Sequence, residues 1–385
     1  MSQQSPTTTG PAVVEPIFAP VPAPELLDQD GREMNVRRAW PQRHGQLSIE
    51  VLDRTDNTIR SGKIAADGRL TLLDYGSDPA LPGLAAEAVD GRVLVHRYKR
   101  RAVVLSSDGR CYTKILARNK ADNVARISER LGGIALDAGF GSAAIIGSTA
   151  DRVVFAPVEG TSLYDLGASA GQERQWAAAW QNWQQRWPGF VDRTHMAGDL
   201  PEFTSEDEVA NLLRWVGHAI DHQALDAPAA ELQNIAAGVA AGLVGSPAGP
   251  EGVSHRDLHD KHLLYQQPGV VGSGTSTGST APSGKGNLAL LDFDTASIAE
   301  TALDLANLKV HLDFRVAQRL LDPGKRRLGV DSITAVAGDL RVPDQRMTAY
   351  EASTRLRLAC VYAFRPVTRQ LANRWLRQLA TQMGR

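Results

Sequence analysis

Two short segments constrain this chain more than any others. Ser254-His255-Arg256-Asp257-Leu258-His259-Asp260-Lys261-His262-Leu263-Leu264-Tyr265 and Leu288-Ala289-Leu290-Leu291-Asp292-Phe293-Asp294 each join a strand-like apolar run to acidic or imidazole side chains. Between them Gly272 to Gly286 (GSGTSTGSTAPSGKG) is of low complexity and reads as a flexible loop inserted between two strands. A hairpin built this way brings Asp257 and Asp292 to the same end. Two carboxylates with different neighbours divide labour: one takes a proton from an attacking hydroxyl, the other holds a hard cation. The inserted loop itself is no phosphate cradle. Gly278 and Gly284-Lys285 are one residue too far apart for a Walker A loop, and Gly286 stands where Ser or Thr is needed for magnesium.

The rest of the composition is that of a globular protein, 43% hydrophobic and 22% charged over 385 residues, long enough for two or three structural units. A formal net charge of -1 gives no reason to expect a nucleic-acid partner. Cys111 and Cys360 are too few and too far apart for a disulfide scaffold or a zinc site, and read as buried thiols. No apolar run approaches the ~20 residues of a membrane span, and residues 1–30 lack a basic start before a hydrophobic stretch, so the chain reads as cytoplasmic. Charge is nevertheless uneven. From Thr301 to Arg385 there are 15 Lys and Arg against 7 Asp and Glu.

Along the chain, residues 1–28 are rich in Pro, Thr and Ala and predict a disordered tail. Residues 29–90 predict a β-rich cap, with Leu47, Ile49 and Val51 on one strand face and a hairpin turn at Asp67-Gly68. Residues 91–157 predict a second set of strands (Val93–Arg97, Ala102–Ser106, Cys111–Leu116, Arg152–Phe155) with a helix over 120–131. Residues 158–385 predict helices. Among them Trp176, Trp180, Trp183 and Trp187 form a core-facing stripe on a helix ended by Pro188-Gly189.

His255-Arg256-Asp257 and Asp292-Phe293-Asp294, followed by Asp304-Leu305-Ala306, resemble the catalytic and metal loops of the protein-kinase-like fold, most closely the aminoglycoside phosphotransferase and choline kinase group. The resemblance covers roughly residues 93–320. It implies an α+β, bilobal fold with a β-rich amino lobe, the extra β cap before it and a helical carboxyl lobe. It implies an ATP-dependent phosphotransferase acting on a hydroxyl of a small polar metabolite, such as a sugar or aminoglycoside. By the same resemblance Asp257 would be the base, Asp292 the magnesium ligand with Asp294 beside it, and Asp304 the anchor of the catalytic loop through its amides and His255. Lys114 would hold phosphates with Glu129 as its partner, and Phe155 and Pro157 would mark the hinge that holds adenine. His259 would play a supporting part.

Two departures stand out. The turn Tyr98-Lys99-Arg100-Arg101 has no glycine where kinases bring amides to phosphate, and His262 replaces the usual second-metal Asn. Imidazole admits Mn2+ or another softer ion beside Mg2+; lipopolysaccharide-core sugar kinases resemble this chain in that change. The departures keep open a pseudokinase that binds nucleotide or a partner without turnover. The acceptor also stays open: Glu206, Asp207 and Glu208 favour a cationic amino sugar, and the basic carboxyl end an anionic glycan. Monomer and homodimer are both compatible with the sequence.

Overall fold

The computed structural model describes residues 18–267 and 287–383. The low-complexity loop and the first part of the expected tail lie outside the described residues. From Phe18 onward the expectation of disorder is corrected. Ala19 donates its amide to Gly45 O at 2.7 Å, and the Phe18 ring stands edge-on to His222 at 5.3 Å. Apolar burial at Ala19 and strand pairing at Glu25–Leu27 hold this stretch against the body of the protein.

The chain then lays down an antiparallel meander, β1 (Glu25–Leu27), β2 (Glu33–Pro41), β3 (Leu47–Asp53), β4 (Ile59–Ile64) and β5 (Leu70–Leu72), in sequential order. β3 alternates as its sequence requires, but both faces are covered. Leu47, Ile49 and Val51 pack with residues of the carboxyl-terminal helices, while Glu50 on the other face reaches the next sheet. The cap therefore touches both lobes. Ala39 donates its amide to Phe364 O at 2.9 Å in the helical lobe, and His96 of the amino lobe donates its amide to Glu50 Oε2 at 2.9 Å. The segment α1 (Leu84–Asp90) belongs with the amino lobe instead of the cap, because Leu84 and Ala88 pack against Val93, Val104 and Ile115.

The amino lobe is a five-stranded sheet in the order β10-β11-β8-β7-β6, from β6 (Gly91–Arg97), β7 (Arg101–Ser106), β8 (Tyr112–Leu116), β10 (Ile145–Thr149) and β11 (Arg152–Phe155). Helix α2 (Ala121–Asp137) crosses it, and β9 (Gly141–Ser142) leaves to pair with the carboxyl lobe. After β12 (Thr161–Ser162) and α3 (Leu163–Ala168) comes α4 (Glu173–Val191), whose four indoles are all at most 1% exposed. The helix runs through Pro188 for nearly one more turn. Burial of Phe190 and Val191, the first against Phe140 and the second against Gly252, favours that extra turn. A Cβ at Gly252 would meet Val191 Cγ1 at 2.4 Å, so only glycine fits there.

Then follow β13 (Glu202–Phe203), α5 (Ser205–Asp221), α6 (Ala229–Gly245), β14 (Glu251–Ser254), β15 (Leu263–Gln266), β16 (Asn287–Leu290), β17 (Ser297–Glu300), α7 (Thr301–Ala317), α8 (Pro323–Asp339), α9 (Asp344–Ala363) and α10 (Arg369–Met383). β15 and β16 form the hairpin, Leu263 opposite Leu290. Cys360 is fully buried and burial pushes its thiol up to about 12, whereas Cys111 is only half-buried, at the mouth of the β7–β8 turn. No helix among the described residues is long and apolar enough to cross a membrane.

One apolar cluster joins Leu47 of the cap to Leu358 of α9 and Trp375 of α10. Leu47→Ala and Leu356→Ala should therefore each lower one shared unfolding transition, by about 2–5 kcal/mol. Urea unfolding followed by circular dichroism checks this, and a separate early transition in Leu47→Ala would show an independent cap.

Candidate active site

Helix α7 is buried along most of its length, yet one of its faces carries Asp304, Asn307, His311 and Arg315, at the three- and four-residue steps that align side chains on a helix. Each of these meets one stretch of the loop between β14 and β15. The buried Asp304 carboxylate accepts from Ser254 Oγ at 2.9 Å and from the amides of His255 and Arg256 at 2.7 and 2.8 Å. Burial pushes its carboxyl up, and the His255 charge and these donors pull against that rise. Asn307 donates to Leu258 O at 2.8 Å. His311 lies against His259, ring centroids 4.9 Å apart, and Arg315 clamps Asp260 through two bonds of 2.9 and 3.1 Å. Only Asp304 of this row was anticipated from sequence. The signal for the other three was polar residues at successive three- and four-residue steps from Asp304.

This clamp holds Arg256 at a φ of 64°, and Asp292 across the hairpin sits at 62°, conformations that cost non-glycine residues on the order of 1–3 kcal/mol. The Arg256 guanidinium lies 3.5 Å from the Phe203 ring centroid and donates to Thr295 O at 3.2 Å. Its neighbour Asp257 is thereby presented with Asp292, His255, Arg357 and Arg101 as its charged surroundings. Burial pushes the Asp257 carboxyl up to about 6, with Asp292 adding to the rise and His255, Arg357 and Arg101 opposing it. Asp292 moves the other way. Burial favours its neutral form, but Lys114, His262 and Arg101 together hold it well below the ordinary carboxylate range.

Lys114, at the middle of β8, donates to Asp292 Oδ1 at 2.9 Å and to Asp294 Oδ1 at 2.7 Å, and Arg101 donates to Asp294 Oδ2 at 3.1 Å. Glu129 does not take the place expected for it. It is exposed on α2, and the adjacent Ser128 is the residue that faces inward beside Lys114. These groups close one end of a cavity of about 270 Å³ between the lobes, with Phe155, Leu264, Leu290 and Phe293 on its apolar walls. Pro157 is exposed and turns away, leaving Ala156 and Val158 beside Phe155 as the hinge residues that line the cavity.

The glycine-free turn is pinned by the cap. Lys99, at a φ of 54°, donates its amide to Asp78 Oδ2 at 2.7 Å, and His96 Nε2 lies 3.2 Å from the same oxygen. Arg101, at the end of the turn, reaches across to Asp294 instead.

Three loop imidazoles stack behind Asp257: His259 on His262 at 3.8 Å and His262 on His255 at 5.4 Å. Burial pushes the pKa of each down, that of His259 the furthest. A neutral His262 donates from Nδ1 to Asp257 O at 2.8 Å, which leaves the Nε2 lone pair 3.9 Å from Asp292 Oδ2. An oxygen and a nitrogen so spaced suit one cation between them, harder or softer, and both oxygens of Asp294 are occupied by Lys114 and Arg101. Asp257, His259 and His262 also bring ligand atoms within 4.8 Å of one another. His259 and His262 are stacked on one another, and His259 Nδ1 accepts from the Lys261 amide at 3.2 Å.

Removing the Asp304 carboxylate strands two loop amides. Asp304→Ala should cost on the order of 3 kcal/mol, measured by urea unfolding, and a loss below 1 kcal/mol would show that the loop holds itself.

No protein-family model matches the chain. The EKC/KEOPS complex subunit bud32 of Aspergillus clavatus is 28% identical over 116 residues, which is 29% of this chain and about a third (32%) of that protein's length. A structure described as the GDP and kanamycin complex of APH(2")-IIia superposes over 76% of this chain and 93% of its own, with 11% identity and a TM-score of 0.50. A choline/ethanolamine kinase family protein from Mesorhizobium loti covers 80% of this chain and 92% of its own, at 15% identity and a TM-score of 0.46. Two lobes, a lysine strand over a paired-aspartate hairpin and the APH(2")-IIia superposition together give this chain the α+β, protein-kinase-like fold.

Proposed function

We propose that the chain is a nucleotide-dependent phosphotransferase, a kinase that uses ATP with Mg2+ or Mn2+ and acts on a hydroxyl of a small polar molecule. The observation that carries this reading is the ion pair of Lys114 with Asp292 at the charged end of an otherwise apolar interlobe cavity, with Asp257 within electrostatic reach of Asp292. The apolar walls suit a base and the lysine suits phosphates. A cation at Asp292 and His262 Nε2 would neutralise charge on the transferred group.

Asp257 is the base. As the acceptor oxygen bonds to the terminal phosphorus and the bond to the nucleoside diphosphate oxygen breaks, the hydroxyl proton passes to the Asp257 carboxylate. Its raised pKa brings it closer to neutral pH, where general bases work best, without leaving it protonated there. His262 holds the Asp257 carbonyl, and Arg101 takes the place of glycine-rich amides above the phosphates. Lys114 must exchange Asp292 and Asp294 for phosphate oxygens when nucleotide binds.

That closed ion-pair network also favours a second reading, a pseudokinase that binds nucleotide without turnover. A nucleotide-dependent rise in melting temperature with no ADP formed across a broad hydroxyl panel would select it.

If the phosphotransfer reading holds, Asp257→Asn lowers kcat on the order of 100-fold or more while nucleotide affinity stays, as read by coupled ADP release and titration calorimetry. The base must be ionised to act. The pH profile of kcat/KM should therefore fall away below about 6, and a profile still flat at pH 5 would remove Asp257 from the role. His262→Asn exchanges an imidazole for an amide oxygen, so the ratio of Mg2+- to Mn2+-supported activity should rise.

A further inference from the structure

The sequence leaves two kinds of acceptor open, and the side-chain geometry separates them. The acidic run on α5 is already engaged. Asp207 closes a capping box with Thr204, and the buried Glu208 accepts from Ser353 Oγ at 2.7 Å and faces Arg357 at 3.7 Å. Glu206 bonds its own neighbour Ser205. None of the three is arranged to receive an amino sugar.

The cations next to the catalytic loop are arranged differently. Lys261 lies over the Tyr164 ring at 4.1 Å, and Arg315 over the same ring at 4.9 Å. Arg315 also lies 3.4 Å from the Tyr362 hydroxyl, and Arg365 covers the Tyr362 ring at 3.9 Å. From the cap, β2 brings Arg38 toward Arg365, since the next residue, Ala39, donates its amide to Phe364 O at 2.9 Å, and the Arg38 charge acts on both Lys261 and Arg365. The carboxylates beside them are Asp260, held by Arg315, and Glu50, shared between Arg37 and Arg38. Lys261 and Arg365 have no ion-pair partner of their own among the described residues. Burial raises the Tyr362 hydroxyl, yet Arg365, Arg315 and Lys261 bring it below its ordinary range, the sign of a surplus of positive charge.

This cationic surface includes Lys261 of the same loop that carries the base. Lys261 is next to His262, whose Nδ1 is 2.8 Å from the Asp257 carbonyl. Like charges gathered with too few counter-charges, as at Lys261 and Arg365, cost stability unless an anion is bound between them.

We propose that the acceptor carries an oxyanion, phosphate ester or carboxylate, bound by Arg38, Lys261 and Arg365, with its hydroxyl directed at Asp257. This rests on the phosphotransfer reading for the word acceptor, while the anion site itself stands on geometry. Arginine forks match either oxyanion through paired hydrogen bonds, and the cap enters the chemistry by supplying one of them.

The test titrates the full chain, without nucleotide and in low salt, with glucose 6-phosphate, glucuronate and glucose, by calorimetry. At least one of the two anions should bind ten-fold or more tightly than glucose, and their order tells phosphate from carboxylate. Lys261→Gln, an exposed position, and the double variant Arg38→Gln/Arg365→Gln should each weaken that anion at least ten-fold, with ADP affinity and circular dichroism unchanged. Equal binding of all three sugars, or anion binding unmoved in both variants, overturns the site. Turnover of neutral acceptors at a rate untouched by Lys261→Gln overturns the acceptor assignment and leaves phosphotransfer standing. Anion binding that responds to the variants, with no ADP released from any acceptor, leaves the site and removes the phosphotransfer reading alone.

Discussion

The loop that carries Asp257 takes its shape from one buried carboxylate. Asp304 accepts two consecutive loop amides and a serine hydroxyl, and in doing so fixes a backbone conformation at Arg256 that a free loop would avoid. A charge in that setting is tolerable only because donors surround it, and the donors are ordered only because the charge is there. Asn307, His311 and Arg315 extend the same hold along α7. The loop is thus read by a rigid helix, and Asp257 inherits a placement it could not secure alone.

Opposite it, Lys114 and Arg101 of the amino lobe and Asp292 and Asp294 of the carboxyl lobe form a mutual ion-pair network across the cleft. Its partners are only partly buried, so the network exchanges readily with solvent or with an incoming polyanion. Asp257 and Asp292 belong to one cleft but are held in opposite electrostatic conditions, one against burial and a neighbouring carboxylate, the other among cations. Two like side chains thereby acquire unlike affinities for a proton.

Much of this was legible in the residues, and the parts that were not share a cause. Lys114 announces itself as a charge inside an apolar strand, and Asp257 and Asp292 as acidic groups beside strand-like apolar pieces. The tryptophan stripe is equally plain, since its spacing admits one helix face. Glu129 misled because helical periodicity is a poor guide to single positions near a rim, where a rotation of about 100° exchanges Glu129 for Ser128. Pro157 misled because extended chain alternates its side chains, so that Ala156 and Val158 line the cavity while Pro157 faces outward. Asp78, Glu50 and Arg38 were invisible as functional residues, for their effect depends on how the cap docks, a long-range contact that no local pattern encodes.

That docking has a mechanical consequence. β2 and β3 are bonded on one side to strand β6 through Leu94 and His96, and on the other to Phe364 at the end of α9. In a two-lobed protein joined by a single strand the halves swing about that strand. Here the cap and the pairing of β9 with β16 add ties beside the Phe155–Ala156 connection. Each further tie removes freedom between the halves, so the cap braces the cleft from outside it.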